Sequence, residues 1–130
     1  MQHEIAPGSA ESWFMHAKSD LRLAEVGNIE GVLLNQLCFH AQQCAEKAIK
    51  ALLIYKDIEF PPTHNIKILL NLISEKEIPN KILSSASLTE YAVESRYPSD
   101  IEEITDKEYH KAIELARIVL HWCMEICDQS

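Results

Sequence analysis

An all-α bundle of four to five antiparallel helices is the fold this sequence predicts, and three observations predict it. Apolar residues recur at spacings of three and four along most of the chain. No segment alternates polar and apolar residues as a half-buried strand does. Among 130 residues there are only three Gly and five Pro, so breakers are few and the intervals between them are long.

The first predicted helix runs from about Ala10 to Val26. Ser9 or Ser12 can cap it, Trp13, Ala17, Leu21 and Ala24 form its stripe, and Gly27-Asn28 stops it. The second runs from about Val32 to Lys56. Its apolar set is Leu34, Leu37, Cys38, Ala41, Cys44, Ala45, Ala48, Ala51, Leu52 and Tyr55, much of it small enough for a neighbouring helix to approach closely. His40, Gln43, Lys47 and Lys50 lie opposite, and Glu46 precedes Lys50 by four, the favourable order for a helical ion pair. Phe60-Pro61-Pro62 ends this region. A third helix is expected from His64 to Ser74 with Thr63 as its cap, and a fourth from Pro79 to Ser95, broken by Tyr97-Pro98-Ser99-Asp100. The fifth begins at Thr105 or Asp106 and reaches Cys127. Thr105 and Glu108 have capping-box spacing, and Ala112, Leu115, Ala116, Val119, Cys123 and Ile126 make its stripe. No linker or repeat divides the chain, so one domain over 1–130 is expected, with its core at about 10–127.

Composition narrows the chemistry. Twenty acidic residues against twelve basic ones give a net charge of −8, which argues against a protein that coats nucleic acid generically. No apolar run is long enough to span a bilayer and the first residues carry no secretory pattern, so no membrane association and a cytoplasmic location are expected. With three glycines a phosphate-cradling P-loop is excluded, and neither HExxH nor GxSxG occurs. The four cysteines lack zinc-finger spacing, so they read as buried core thiols, and no metal or other cofactor is required. Charge is uneven: residues 94–130 hold nine acids and four bases, whereas residues 40–93 hold six of each, which favours the middle helices for any anion site.

Three groups of residues remain as candidates. His40, Gln43, Lys47 and Lys50 could bind a phosphate or a base edge, or could simply form a wet helix face or a subunit contact. Arg96 and Tyr97 could grip an anion and stack on a ring, or could mark a helix C-terminus. Arg117 and His121 share a face of the last helix and could do acid–base chemistry on a phosphodiester, although His121 adjoins Trp122 in an apolar stretch and is as easily a packing residue.

The segments FHAQQCAEKAIKALLIYKDIEFPPTHNIKILL (Phe39 to Leu70) and SLTEYAVESRYPSD (Ser87 to Asp100), together with WFMHAKSDLRLAE and the last helix, resemble the HEPN domain family (higher eukaryotes and prokaryotes nucleotide-binding). That resemblance implies a HEPN-type helical bundle that forms a homodimer and binds a nucleotide or RNA. It also implies a minimal nucleotidyltransferase as partner in a toxin–antitoxin-like pair. The matching motif residues are His40, Gln43, Glu46, Lys47, Lys50, Thr63-His64 and Arg96-Tyr97-Pro98. Ribonucleases of the family carry an Arg and a His separated by four to six residues. Here Arg117 and His121 are separated by three, all apolar, and Ile118 stands where a polar residue is usual. The expected function is therefore a non-catalytic binding module. The alternatives are a metal-independent endoribonuclease toxin using Arg117 and His121, or a purely structural partner subunit.

Overall fold

The computed structural model describes residues 5–92 and 103–128. Helix α1 (Ala10–Ala24) pairs antiparallel with α2 (Leu34–Tyr55). Two short helices, α3 (Ile66–Leu70) and α4 (Asn80–Leu83), and 3₁₀ turns at Glu75–Glu77 and Ser84–Ala92 carry the chain back to α5 (Asp106–Ile126). No strand occurs among the described residues. Cys44 Sγ reaches the Ala116 carbonyl at 4.0 Å, so α5 packs on α2 beside the α1 contacts made by His40 and Lys47.

The expected helix starts hold for α1 and α5. Ser9 Oγ accepts the Ser12 N–H at 3.1 Å, and Thr105 with Glu108 forms the reciprocal capping box. Gly27 adopts φ +78°, in the left-handed region the stop requires. The end of α1 is also tied across the fold: Tyr109 Oη donates to the Ala24 carbonyl and accepts from the Gly27 N–H. That bond satisfies an orphan helix-end carbonyl from far along the chain.

Helices three and four are shorter than their apolar spacing predicts. Asn65, not Thr63, caps α3 by accepting from Ile68 N, while Thr63 Oγ1 accepts from Asn65 N. Beyond Leu70 the chain tightens into i→i+3 bonds at Leu72 and Ile73. After Leu83 the cause is the serines. Ser84, Ser85 and Ser87 return their hydroxyls to the carbonyls of Asn80, Ile82 and Ser84, which competes with a regular α ladder and favours the 3₁₀ form. The rest of the fourth predicted helix, and its break at Tyr97-Pro98, lie outside the described residues.

The core runs through every helix, and α2 is its axis. Ala41, Cys44, Ala45, Ala48, Ile49, Leu52 and Leu53 are fully buried. On α1, Phe14 is the large buried side chain and its neighbour Trp13 is only partly covered. No helix among the described residues is long and apolar enough to cross a membrane.

Candidate functional site

The polar row of α2 faces neighbouring protein rather than bulk water. Toward α1, Asp20 occupies the position one turn before Ala24 and is 8% exposed. A lone carboxylate at that depth needs partners, and α2 provides two: His40 Nδ1 donates to Asp20 Oδ1 at 3.0 Å, and Lys47 Nζ to Asp20 Oδ2 at 2.7 Å.

A second set lies one to two turns along. Glu46 is 2% exposed and Lys50 7%, and their side chains meet at 2.8 Å. Gln42 Nε2 and His64 Nδ1 both reach Glu46 Oε1, at 2.9 Å each, and Gln43 Nε2 donates to Gln42 Oε1 at 2.7 Å. Burial pushes the Glu46 carboxyl pKa up, but the hydrogen bonds from Lys50, Gln42 and His64 and the nearby ammonium charge outweigh it, leaving it below the ordinary glutamate value. The Lys50 ammonium also lies 5.5 Å from the Trp13 ring and 5.7 Å from the Phe60 ring, which meet edge to face. Among the described residues no buried side-chain nitrogen or oxygen lacks a partner.

Beside these sets opens a cleft of about 410 Å³ between the start of α1 and the middle of α2, lined by Pro7, Gly8, Ser12, Trp13, His16 and Lys47. Of the residues expected to bind a ligand, Lys47 lines this cleft and His40 joins it through Asp20. Gln43 and Lys50 belong to the Glu46 set instead. Arg96 and Tyr97 lie outside the described residues. Sequence reasoning did not find Asp20, Trp13 or His16 as site residues. Asp20 left a trace, a carboxylate one turn before Ala24 on the helix face that Ala17 and Ala24 bury.

Arg117 and His121 are exposed on α5. The Arg117 guanidinium holds Glu25 Oε2 through Nε at 2.8 Å and Nη2 at 2.5 Å, and His121 Nε2 meets Glu125 at 2.9 Å. Each is already engaged by a carboxylate of its own chain.

No group of three or more His, Cys, Asp or Glu among the described residues is placed to hold a metal ion. Cys38, Cys44, Cys123 and Cys127 are free and buried. Burial pushes the Cys38 thiol up to about 12 and Cys127 up to about 11. Because the thiolate is the reactive form, a disulfide-exchange reagent is expected to modify these thiols only slowly in the native protein and all four promptly in denaturant. Rapid native labelling of two or more would contradict this burial.

Comparison with known proteins agrees with this architecture. The model of the HEPN domain matches residues 10–127. The crystal structure of ST0689, an archaeal HEPN homologue, is similar at 30% identity with a TM-score of 0.73, covering 92% of this chain and 98% of that one. The crystal structure of TT1696 from Thermus thermophilus is similar at 28% identity with a TM-score of 0.73, covering 89% and 96%. No curated protein matches. With the family model spanning nearly the whole chain and the helical order shared with solved relatives, the chain belongs to the HEPN domain family.

Proposed function

We propose that this chain is a non-catalytic HEPN binding module. It forms a homodimer, serves a minimal nucleotidyltransferase as its companion in a toxin–antitoxin-like pair, and takes a nucleotide on the α1–α2 face without a metal or other cofactor. The observation that carries this reading is the cleft at Lys47, an open site bordered by an ammonium, a histidine and an aromatic ring and held in place by Asp20. The arrangement at Arg117 and His121 supports the non-catalytic part. An arginine that stabilises a phosphorane must present its N–H groups to the phosphate, and Arg117 spends two of them on Glu25.

The test is an affinity pull-down of the tagged chain from its own cells, followed by mass spectrometry of proteins and small molecules. A nucleotidyltransferase recovered in stoichiometric amount is the expected result; recovery of the chain alone overturns the companion role. Purified protein is expected to leave RNA intact. Cleavage that His121→Ala abolishes would establish the ribonuclease reading in its place.

A further inference from the structure

We propose that His64 is a modification site: its Nε2 accepts a phosphoryl group from a donor of the phosphoramidate (N–P) class, with Glu46 as the positioning residue. The proposal goes beyond the function proposed above and stands or falls apart from it.

His40, His64 and His121 are each bonded to a carboxylate. His64 combines three properties that the other two do not. Its side chain is 69% exposed, its bonded nitrogen is Nδ1, and the carboxylate that holds it is buried. His40 also meets a buried carboxylate through Nδ1, but its side chain is only 30% exposed. His121 is exposed, yet the nitrogen engaged is Nε2, and the Glu125 that engages it is exposed as well.

The Glu46 bond decides which nitrogen of His64 can react. An ionised carboxylate accepts hydrogen bonds and donates none. Glu46 is held below the ordinary glutamate value, so it is ionised at neutral pH, and in the neutral His64 ring the proton sits on Nδ1. The lone pair is left on Nε2, the nitrogen farther from the main chain. An exposed histidine ordinarily turns freely about its side-chain bonds. His64 is held by its ring through Glu46 at 2.9 Å and by its carbonyl through Gln42 Nε2 at 3.3 Å. Glu46 is itself fixed by Lys50 at 2.8 Å and Gln42 at 2.9 Å. A nucleophile oriented by a second group that is oriented by a third is the arrangement that activates side chains for group transfer.

The backbone around the ring favours a phosphoryl group over an acyl group. Acyl transfer builds an oxyanion that needs free donors. The N–H groups of Asn65, Ile66 and Ile68 are already given to Thr63 Oγ1, Thr89 Oγ1 and Asn65 Oδ1, at 3.1, 3.1 and 3.2 Å. Phosphoryl transfer passes through a loose transition state and asks chiefly for a well-placed nucleophile. In the proposed step the Nε2 lone pair attacks phosphorus and forms the new N–P bond. The N–P bond of phosphoramidate breaks, and its already protonated nitrogen leaves as ammonia with the bonding pair. The phosphorylated ring is positively charged, its proton still on Nδ1, where the Glu46 carboxylate offsets that charge.

The experiment is labelling of the native full chain with phosphoramidate at neutral pH, followed by mass spectrometry of each histidine peptide and phosphorus NMR to tell Nε2 from Nδ1 products. His64 is expected to be labelled on Nε2, roughly tenfold or more faster than His16, His110 and His121, and to lose this advantage in denaturant. Glu46→Gln keeps an acceptor oxygen but removes the charge, and is expected to slow labelling of His64 by roughly tenfold while leaving the other histidines unchanged. If Glu46→Gln proves unfolded, the comparison among histidines of the wild-type protein carries the test. Labelling of His64 no faster than that of His16 or His121, or labelling on Nδ1, overturns the proposal. An unchanged His64 rate in folded Glu46→Gln overturns the positioning role of Glu46. Release of p-nitrophenol from p-nitrophenyl acetate that depends on His64 would overturn the choice of a phosphoryl over an acyl group.

Discussion

Glu46→Ala is expected to destabilise the protein by about 3–5 kcal/mol, because removing one member of a buried ion pair leaves the other charge uncompensated. The stranded charge is Lys50, 7% exposed, whose remaining neighbours at that depth are the Trp13 and Phe60 rings. The Nε2 donor of fully buried Gln42 loses its best acceptor too and keeps only the His64 carbonyl at 3.3 Å. For a chain of this size each kcal/mol moves the melting temperature by about 3 °C, so a fall on the order of 10 °C should be measured. Glu46→Leu combined with Lys50→Met should recover much of the loss, since apolar replacement of a buried pair is often neutral or better. The recovery stays incomplete because Gln42 remains short of a partner.

Acid provides a second readout of the same group. The carboxyl is held below the ordinary glutamate value of 4.5, so its ionised form is favoured by folding. Its contribution is complete above that value and is lost as pH falls through the lower folded value. Wild type should therefore lose stability on acidification more steeply than Glu46→Gln. Parallel pH profiles for the two proteins would show that the pair contributes nothing net.

Part of this network was legible in the sequence and part was not, for a physical reason. The spacing of Glu46 and Lys50 gives their contact directly, as the spacing of Thr105 and Glu108 gives the capping box of α5. The stripe of α5 is also largely as its period indicates, with Ala112, Leu115, Ala116, Val119 and Cys123 buried and Ile126, near the helix end, only partly so. What helical period does not carry is the number of sides on which a helix is covered. Polar residues on α2 suggest a wet face, yet α2 is the central helix, and Gln42, Glu46 and Lys50 are buried beside Ile49 and Leu53. Nor does local spacing carry partners twenty or more residues away, such as Asp20 for His40 and Lys47. The aromatic wall of the cleft was hidden for a related reason. Trp13 stands in the apolar stripe of α1 as a core residue would, but Phe14 takes the interior position and leaves Trp13 at the margin.

Phe14→Ala follows from that same exchange of roles. Phe14 is 1% exposed and is the large side chain that α1 commits to the interior, where its neighbours along the stripe, Ala17 and Ala24, are small. Deleting a buried phenyl ring costs about 3–5 kcal/mol through lost burial and the cavity left behind. The buried face of α2 is rich in alanine, with Ala41, Ala45, Ala48 and Ala51, which has no side-chain length with which to fill a space, so the upper part of the range is expected. Chemical unfolding should show a lower midpoint with an unchanged denaturant slope, the signature of lost stability rather than an altered unfolded state. Trp13→Leu, one residue earlier and only partly buried, should cost less stability while removing the ring that faces the cleft. If Phe14→Ala instead cost under about 1 kcal/mol, within the range of an ordinary surface substitution or little beyond it, α1 would be resting on the bundle rather than seated in it. The fixed geometry of Asp20, Lys47 and Trp13, on which the cleft depends, would then have no anchor.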